Sequence, residues 1–386
     1  MTNEQKLLFD LLRLELGCTS DKSNIYFENV NIEKLFELAA RHSVAPLVAD
    51  CIISNKFIAD EDIMDGIKSI QLEAIFQYQK QKSELDKIKK LFNENKIPFI
   101  PLKGAVIRNI YPEPYLRTCC DIDILVHPVD VEHAIDVLIE AEYNKVVKYD
   151  HDYTLYSPNG VHLELHFDTI EGKNKFANVK YVLDKIWQFA IQRSTDSFEY
   201  LLSDEMFYFY HVSHLAKHFR SAGCGIRPFV DLWILNNNLE VECEKRQELL
   251  IQGGLCDFEF YMKKLLGVWF DGERYDEIIK GLECYIIKSG IYGNRYNFVA
   301  NRINSTSNKM KTLVSRIYIK YDTIKNIYPI LKKHKWLTPI YQVRRWIEIV
   351  FVKEKRFRSK NNIKVVLNIT QHDIDTAKKL KKLLKI

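Results

Sequence analysis

The sequence contains no C-x-x-C spacing, although eight cysteines are spread over its 386 residues. A structural zinc site is therefore not expected, because such sites depend on closely spaced cysteine pairs. The cysteines are dispersed, with Cys119 and Cys120 as the one close pair, which is typical of a reducing compartment rather than of a disulfide framework. No uninterrupted apolar run approaches the roughly 18 residues that a membrane-spanning helix needs. Residues 1–6 also lack the basic-then-apolar layout of a signal peptide, so we expect a cytoplasmic protein.

The charged residues are unevenly distributed, which the modest net charge of +5 conceals. Residues 301–386 hold 22 Lys and Arg against 5 Asp and Glu, whereas residues 1–300 hold 34 against 46. A basic end on an acidic body predicts an anionic partner for that end, or its packing against the body. The partner could be nucleic acid or an anionic membrane surface, and the remaining interpretation is a solvated helical face. The aromatic residues interleaved with the basic ones are Trp336, Tyr341, Trp346 and Phe351.

The predicted fold is α+β, with a mixed sheet and its helices embedded between helical regions. Apolar residues recur at helical spacing near the N-terminus, for example at Leu8, Leu11 and Leu12, and a long helical pattern covers about 62–93. The pattern then changes to short apolar strands, and helical periodicity returns from about Tyr181. The predicted segments are a helical region at 1–95, a compact α/β core at 96–190, a helical domain at 191–300 and a basic helical region at 301–386.

Within the α/β core, the alternation of apolar residues and the positions of Gly and Pro predict the order of the elements. The hairpin is indicated by two alternating segments on either side of a turn of about four residues that contains Pro158 and Gly160. The predicted elements are a strand at 97–102, a short helix at 105–111, a strand at 121–126, a helix after Pro128 with Val131, Ala134, Ile135 and Leu138 buried, and a hairpin formed by 153–156 and 161–167.

Two aspartates, Asp121 and Asp123, stand two residues apart in one predicted strand. Side chains at i and i+2 of a strand share a face, and two carboxylates side by side repel each other unless a cation lies between them. Mg²⁺ prefers such oxygen ligands and most often acts with phosphates. On the second hairpin strand, His162, Glu164 and His166 occupy the polar face. If this strand lies next to the strand of Asp121 and Asp123, Glu164 lies beside the two aspartates. Three carboxylates can hold two Mg²⁺ ions about 3.5–4 Å apart.

Lys103 and Gly104 supply a candidate phosphate-binding turn. Glycine lets backbone N–H groups approach phosphate closely, and a helix that begins there adds a favourable dipole. Lys103 and Arg117 are candidate cations for the β and γ phosphates. His166 is a candidate contact to a ligand or a phosphate, with a structural role as the alternative. Each motif alone is weak, but their order on these elements favours phosphoryl chemistry.

These residues resemble the uncharacterised nucleotidyltransferase family of the DNA polymerase beta-like nucleotidyltransferase superfamily, and the resemblance covers most of the chain. By this resemblance Asp121, Asp123 and Glu164 are the catalytic metal ligands, and Gly104 lies in the triphosphate-binding turn. The superfamily usually has a serine in this turn that touches phosphate, whereas this sequence has Ala105. The matching motifs are Leu102–Gly104, Tyr111–Pro112, Arg117, Asp121–Val126 and Leu163–His166, with weaker matches at Arg41–Leu47, His214, Ile226–Leu232 and Tyr328–Arg345.

The resemblance implies an enzyme that moves a nucleoside monophosphate from an NTP, such as ATP, to an acceptor and releases pyrophosphate. Mg²⁺, or Mn²⁺ in its place, is the implied cofactor. Together with Gly104, the residues Lys103, Arg117 and His166 are the predicted contacts to the nucleotide. A small-molecule acceptor is slightly favoured over RNA or protein. Two alternatives stay open: an inactive module that binds a nucleotide or a partner, and an RNA-acting transferase of the tRNA-modifying or toxin-like type.

Other polar residues have simpler interpretations. His211, His214 and His218 recur at helical spacing, which more often reflects packing within a helical core than a zinc site. His214 is also a candidate for the transferase cleft. Arg227 and Asp231 are interpreted as a helix-end pair without chemistry, with a role in the substrate pocket as the alternative.

Overall fold

The chain divides into two compact units. The first comprises Met1–Ala216 and Gly225–Ile291, and the second comprises Lys217–Cys224 and Tyr292–Ile386. The first unit combines a mixed β-sheet with many helices, so the fold is mixed α/β. The four segments drawn from the sequence at 1–95, 96–190, 191–300 and 301–386 stay a prediction. This computed structural model describes residues 1–169, 176–291, 293, 297–299, 318–353, 356, 364 and 367–386.

Helices precede the sheet in the first unit. The first begins after Thr2, whose hydroxyl accepts a hydrogen bond from the backbone N–H of Gln5 in a capping box. The helix predicted around Leu8 is confirmed, and the long helix predicted at 62–93 extends one residue further at each end. The bounds of these helices are α1 (Asn3–Glu15), α2 (Ile32–Arg41), α3 (Ala45–Asn55) and α4 (Glu61–Glu94).

Five strands form the central sheet in the order β1-β2-β5-β4-β3. β2 and β5 are parallel neighbours, and every other pair in this sheet is antiparallel. The predicted hairpin is therefore confirmed as β4 and β5. Its turn needs a positive φ at Gly160, which is +74°. The strands are β1 (Phe99–Pro101), β2 (Asp121–Val126), β3 (Asn144–Lys148), β4 (Asp152–Tyr156) and β5 (His162–His166).

Three elements of the core differ from the prediction. The first strand is shorter than 97–102, although the N–H of Leu102 still donates to the carbonyl oxygen of Asp123 over 2.9 Å. The helix predicted at 105–111 is α5 (Gly104–Ile107), followed by a 3₁₀ turn at Arg108–Ile110. The strand β3 was not predicted, because Val146 and Val147 are partly exposed and do not alternate with polar residues.

One face of the sheet is covered by apolar packing. Ile122 and Ile124 of β2 pack with Leu163 and Leu165 of β5 in a buried cluster. The same cluster includes the predicted stripe of α6 (Val131–Glu140), which is therefore confirmed. Because side chains alternate along a strand, the polar residues of β2 and β5 lie on the opposite face.

More helices follow in the first unit, as predicted for the chain after Tyr181, and a two-stranded sheet lies among them. Their core is rich in aromatic residues, and Trp269, Phe229 and Phe258 are fully buried. The small sheet was not predicted. The elements are α7 (Ala177–Leu183), β6 (Ala190–Gln192), β7 (Tyr200–Leu202), α8 (Asp204–Ser221), α9 (Arg227–Asn238), α10 (Cys243–Gly253), α11 (Cys256–Phe270) and α12 (Glu277–Ile287). The last residues of α8, from Lys217 onward, belong to the second unit.

The described part of the second unit is helical beyond residue 318. Short 3₁₀ turns at Pro329–Lys332 and Lys335–Leu337 separate its first two helices. Among the described residues of both units, no helix is long and apolar enough to cross a membrane. The helices are α13 (Tyr321–Ile327), α14 (Thr338–Phe351) and α15 (Gln371–Leu384).

Candidate active site

The polar face of β2 and β5 brings the three predicted carboxylates together. In the parallel register Asp121 lies opposite His162, and Asp123 lies opposite Glu164. Ligand atoms of Asp123, Glu164 and His166 lie within 4.8 Å of one another, as do those of Asp121, His162 and Glu164. The convergence inferred from the alternation of residues 161–167 therefore matches the geometry of the sheet.

Asp123 is the most enclosed of the three carboxylates, at 2 % exposure. Its Oδ1 accepts a hydrogen bond from Lys103 Nζ at 2.6 Å and lies 2.8 Å from His166 Nε2. Burial alone would raise the pKa of Asp123, but the Lys103 ammonium and the His166 contact overcome it and hold that pKa well below its usual range. Asp123 is therefore a carboxylate that stays ionised.

Lys103 reaches this carboxylate from a strained turn. Its φ is +45° with ψ of −120°, a conformation that costs of order 1–3 kcal/mol for a residue other than glycine. Burial would lower the pKa of Lys103, but the nearby Asp123 carboxylate raises it, so the side chain is a fixed cation. Such strain is retained only where the surrounding contacts over-determine it, as the ion pair with Asp123 does here.

The pKa values of Glu164 and Asp121 are raised, whereas that of Asp123 is lowered. Burial, reinforced by the charge of Asp123, raises the pKa of Glu164 to about 7. Burial and Asp123 also raise the pKa of Asp121. Like charges on one sheet face thus leave Glu164 poised to take or release a proton near neutral pH.

The Gly104 turn is built for close packing. A Cβ at this position would lie 2.7 Å from Arg117 Nη1 and 3.0 Å from Cys119 Sγ. The N–H groups of Ala105 and Val106 donate to the carbonyl oxygens of Leu102 and Lys103. The glycine predicted to admit phosphate therefore also admits the guanidinium of Arg117, and α5, at four residues, has only a short dipole.

Arg117, a predicted phosphate contact, is 7 % exposed and held by Asp231. Its Nε and Nη2 donate to the two oxygens of Asp231 over 3.2 Å and 2.9 Å, and Tyr111 donates to the same carboxylate over 2.6 Å. Arg227 donates instead to the carbonyl oxygen of Thr118 over 2.9 Å. Asp231 therefore ties α9 to the core turn through Arg117, and the direct partner of Asp231 is not the Arg227 of the predicted helix-end pair.

Three residues near the carboxylates were not singled out from the sequence. Asp152, opposite His166 in the antiparallel register, lies 3.0 Å from His151 Nε2 and 3.9 Å from His166 Nδ1. Tyr210 of α8 is buried, and burial together with the charges of Asp123 and Glu164 raises its pKa. The polar residues at the start of β4 could have indicated that Asp152 lies near the carboxylates. Tyr210 is far from them in sequence, so periodicity could not predict its position beside them.

The histidines of α8 are used differently from one another. His211 Nδ1 lies 2.9 Å from the carbonyl oxygen of Phe207, and burial lowers its pKa to about 4. The ring of His214 stacks on Tyr210 with centroids 6.4 Å apart. Within the described residues, none of the three groups that could hold a metal includes His211, His214 or His218.

The donor set on the sheet fits a hard divalent cation. Carboxylate oxygens are the ligands of Mg²⁺ and Mn²⁺, and Asp121 and Glu164 offer them on adjacent strands. In the same group of three, His162 Nε2 is buried without a hydrogen-bond partner in the described part of the chain. An unpartnered buried polar atom calls for a ligand, so the residues fit the implied metal.

A protein-family model described as "Uncharacterised nucleotidyltransferase" matches residues 28–271 of this chain. The match covers more than half of the sequence and includes all the candidate site residues. The chain belongs to this family of uncharacterised nucleotidyltransferases. The resemblance drawn from the sequence motifs is thereby confirmed at the level of the family.

Two further comparisons, with solved structures and with curated proteins, add nothing to the family assignment. The solution structure of the antibiotic-resistance factor ANT(2'')-Ia is similar over 48 % of this chain and 99 % of that chain, at 11 % sequence identity and a TM-score of 0.35. A TM-score of this size supports no conclusion about fold or activity. No match to the chain was found among curated proteins.

Proposed function

We propose that this nucleotidyltransferase moves a nucleoside monophosphate from an NTP to an acceptor hydroxyl and releases pyrophosphate, with Mg²⁺ or Mn²⁺ as its cofactor. The observation that carries the proposal is the register of β2 and β5, in which Asp123 lies opposite Glu164 with Asp121 on the same face. Three carboxylates gathered on one sheet face are costly without a cation. The five-stranded sheet would then be the polymerase beta-like core of the protein.

The three carboxylates would hold the divalent ions. Asp121, Asp123 and Glu164 would each supply carboxylate oxygens to these ions. Two such ions neutralise charge on the triphosphate and on the leaving pyrophosphate and lower the pKa of the attacking hydroxyl. Asp123 is suited to this role because it stays ionised. Glu164, whose pKa burial and the charge of Asp123 raise to about 7, would have to release its proton to bind an ion.

Lys103 and His166 would help the site to bind the nucleotide. Both contact Oδ1 of Asp123. The Lys103 ammonium would neutralise phosphate charge, and His166 would hold Asp123 in position. Arg117, paired with Asp231, would fix the shape of the Gly104 turn. Its role would be to position the nucleotide through that turn, and positioning would be the main source of catalysis.

The proposal is tested by incubating the protein with each α-labelled NTP, Mg²⁺ and a cell extract. We expect a labelled product with the wild type and a loss of at least about a hundredfold in Asp123→Asn, because the substitution removes charge at the reacting centre. Asp136→Asn is the matched control, since Asp136 is exposed on α6, which packs on the opposite sheet face. Label in small soluble products indicates a small-molecule acceptor, whereas label in precipitated RNA or protein identifies a macromolecule.

Two outcomes would contradict the proposal. Equal labelling by the wild type and Asp123→Asn would remove that carboxylate from the reaction. NTP-dependent thermal stabilisation without labelled product or pyrophosphate, for every NTP and extract, would identify an inactive nucleotide-binding module instead.

A further inference from the structure

Helix α14 exposes a stripe of apolar side chains. Ile340, Val343, Ile347 and Val350 follow one another at intervals of three, four and three residues along this helix, which places them on one face. Between 48 % and 58 % of each side chain is exposed. Trp336, just before the helix, and Phe351, at its end, are exposed to 72 % and 80 %. We call these six residues the α14 stripe.

The polar side of the same helix is engaged within its own unit. Gln342 is 1 % exposed and donates to the carbonyl oxygen of Ile319. Glu348 accepts hydrogen bonds from Tyr328 over 2.7 Å and from Arg344 over 3.0 Å. An ordinary surface helix buries its apolar face, whereas the apolar stripe of α14 is exposed. The α14 stripe is therefore an apolar surface that is exposed among the described residues.

Positive charge surrounds the α14 stripe. Exposed basic side chains precede the helix, continue on its flank and follow its end, and the whole segment 301–386 holds 22 basic against 5 acidic residues. Such a surface attracts anions at long range and presents apolar groups at contact. The exposed basic residues are Lys332, Lys333, Lys335, Arg344 and Lys353.

We propose that α14 docks on an anionic lipid bilayer, lying in the headgroup region with its stripe toward the acyl chains. Aliphatic Ile and Val side chains gain free energy in that region, and Trp336 and Phe351 suit the membrane interface at the two ends. Nucleic acid is disfavoured because four of the six stripe residues are aliphatic, and aliphatic groups neither stack on bases nor pair with phosphates. A second copy is disfavoured because two strongly basic surfaces repel each other. This inference does not depend on the proposed transferase activity.

The test is co-sedimentation of the full chain with vesicles of phosphatidylcholine alone or with added phosphatidylserine. We expect binding to the mixed vesicles, little binding to phosphatidylcholine alone, and weaker binding as salt is raised. Ile347→Asp should lower the partition coefficient at least about tenfold by placing a charge in the apolar stripe. The control Ile251→Asp, at a site on α10 that is 62 % exposed, should bind as the wild type does.

A charge variant separates the electrostatic part from the apolar part. Removing the charges of Lys332, Lys333 and Lys335 by Gln should weaken binding about fivefold for each charge lost. The proposal is overturned if the protein does not bind the mixed vesicles, or if Ile347→Asp binds them as tightly as Ile251→Asp. It is also overturned if Ile347→Asp abolishes RNA binding or dimerisation while vesicle binding is unchanged.

Discussion

Asp123 and Glu164 lie opposite each other on neighbouring strands, yet burial acts on them with different results. Asp123 has a cation, Lys103, at 2.6 Å and so remains ionised, whereas Glu164 is left beside a like charge with its pKa raised to about 7. The charge of each carboxylate thus depends on the sign of the charged neighbour that affects it most, which is Lys103 for Asp123 and Asp123 for Glu164. Lys103 provides positive charge at Asp123 Oδ1, so a divalent cation bound at this carboxylate would share it with Lys103.

The raised pKa of Glu164 predicts a stability difference that does not depend on activity. The folded protein retains a proton on Glu164 that the unfolded chain releases, since the pKa is about 7 when folded against 4.5 ordinarily. The stabilisation by that proton is complete below about pH 4.5 and is lost as pH rises through about 7. Glu164→Gln keeps a neutral side chain, so its free energy of unfolding at pH 8 without divalent cations should exceed that of the wild type by about 2 kcal/mol.

Denaturant unfolding at pH 8 and pH 4.5 with a chelator present measures this difference. The gain should shrink toward zero at the lower pH, and the exposed Glu140→Gln on α6 should show no comparable gain at either pH. A Glu164→Gln protein that is less stable than the wild type at pH 8 would contradict the electrostatic account of this residue.

At the scale of elements, the site depends on how β2, β5 and the turn before α5 are held. The β2–β5 register aligns the carboxylates, and the turn is fixed from below by Arg117, which is itself held by two hydrogen bonds to Asp231 of α9. A buried ion pair that loses one partner typically costs 3–5 kcal/mol. A helix distant in sequence thus controls the position of Lys103 through the turn.

Gly104→Ala tests this packing. The new methyl group would lie 2.7 Å from Arg117 Nη1, and Arg117 cannot move aside without breaking its pair with Asp231. We expect a loss of about 1–3 kcal/mol in the free energy of unfolding, measured with urea. The control is Gly66→Ala in α4, where no heavy atom lies within 4 Å of the added carbon. That change should be neutral or stabilising by up to about 1 kcal/mol, and equal stability of the two variants would contradict the packing role.

Local patterns predicted the elements that carry the site. The alternation in β5 and the i, i+2 spacing of Asp121 and Asp123 were sufficient to place Glu164 beside them, because strand geometry is local and strict. Periodicity did not reveal β3, whose valines are partly exposed, or the pairing of Arg117 with Asp231, 114 residues away. Long-range partners are set by packing in three dimensions, which one sequence does not encode as a period.

For the whole molecule, the charge asymmetry of the sequence corresponds to two different kinds of surface. The first unit holds the candidate metal site on the polar face of its sheet, and the second unit exposes the basic and apolar α14 stripe. The family match at residues 28–271 includes the candidate metal site and ends before the basic segment. The α14 stripe lies outside the matched residues, and we explain it by the proposed docking on a membrane.

The central claim, that the three carboxylates form a divalent-metal site, is tested most directly by binding of Mn²⁺ followed by electron paramagnetic resonance. The wild type should bind Mn²⁺ and release it to excess Mg²⁺, with affinity falling as pH drops below about 7, because Glu164 must lose its proton. Asp121→Asn combined with Asp123→Asn should weaken binding at least about tenfold, whereas Asp136→Asn should not. Unchanged Mn²⁺ binding by the double variant would contradict the account.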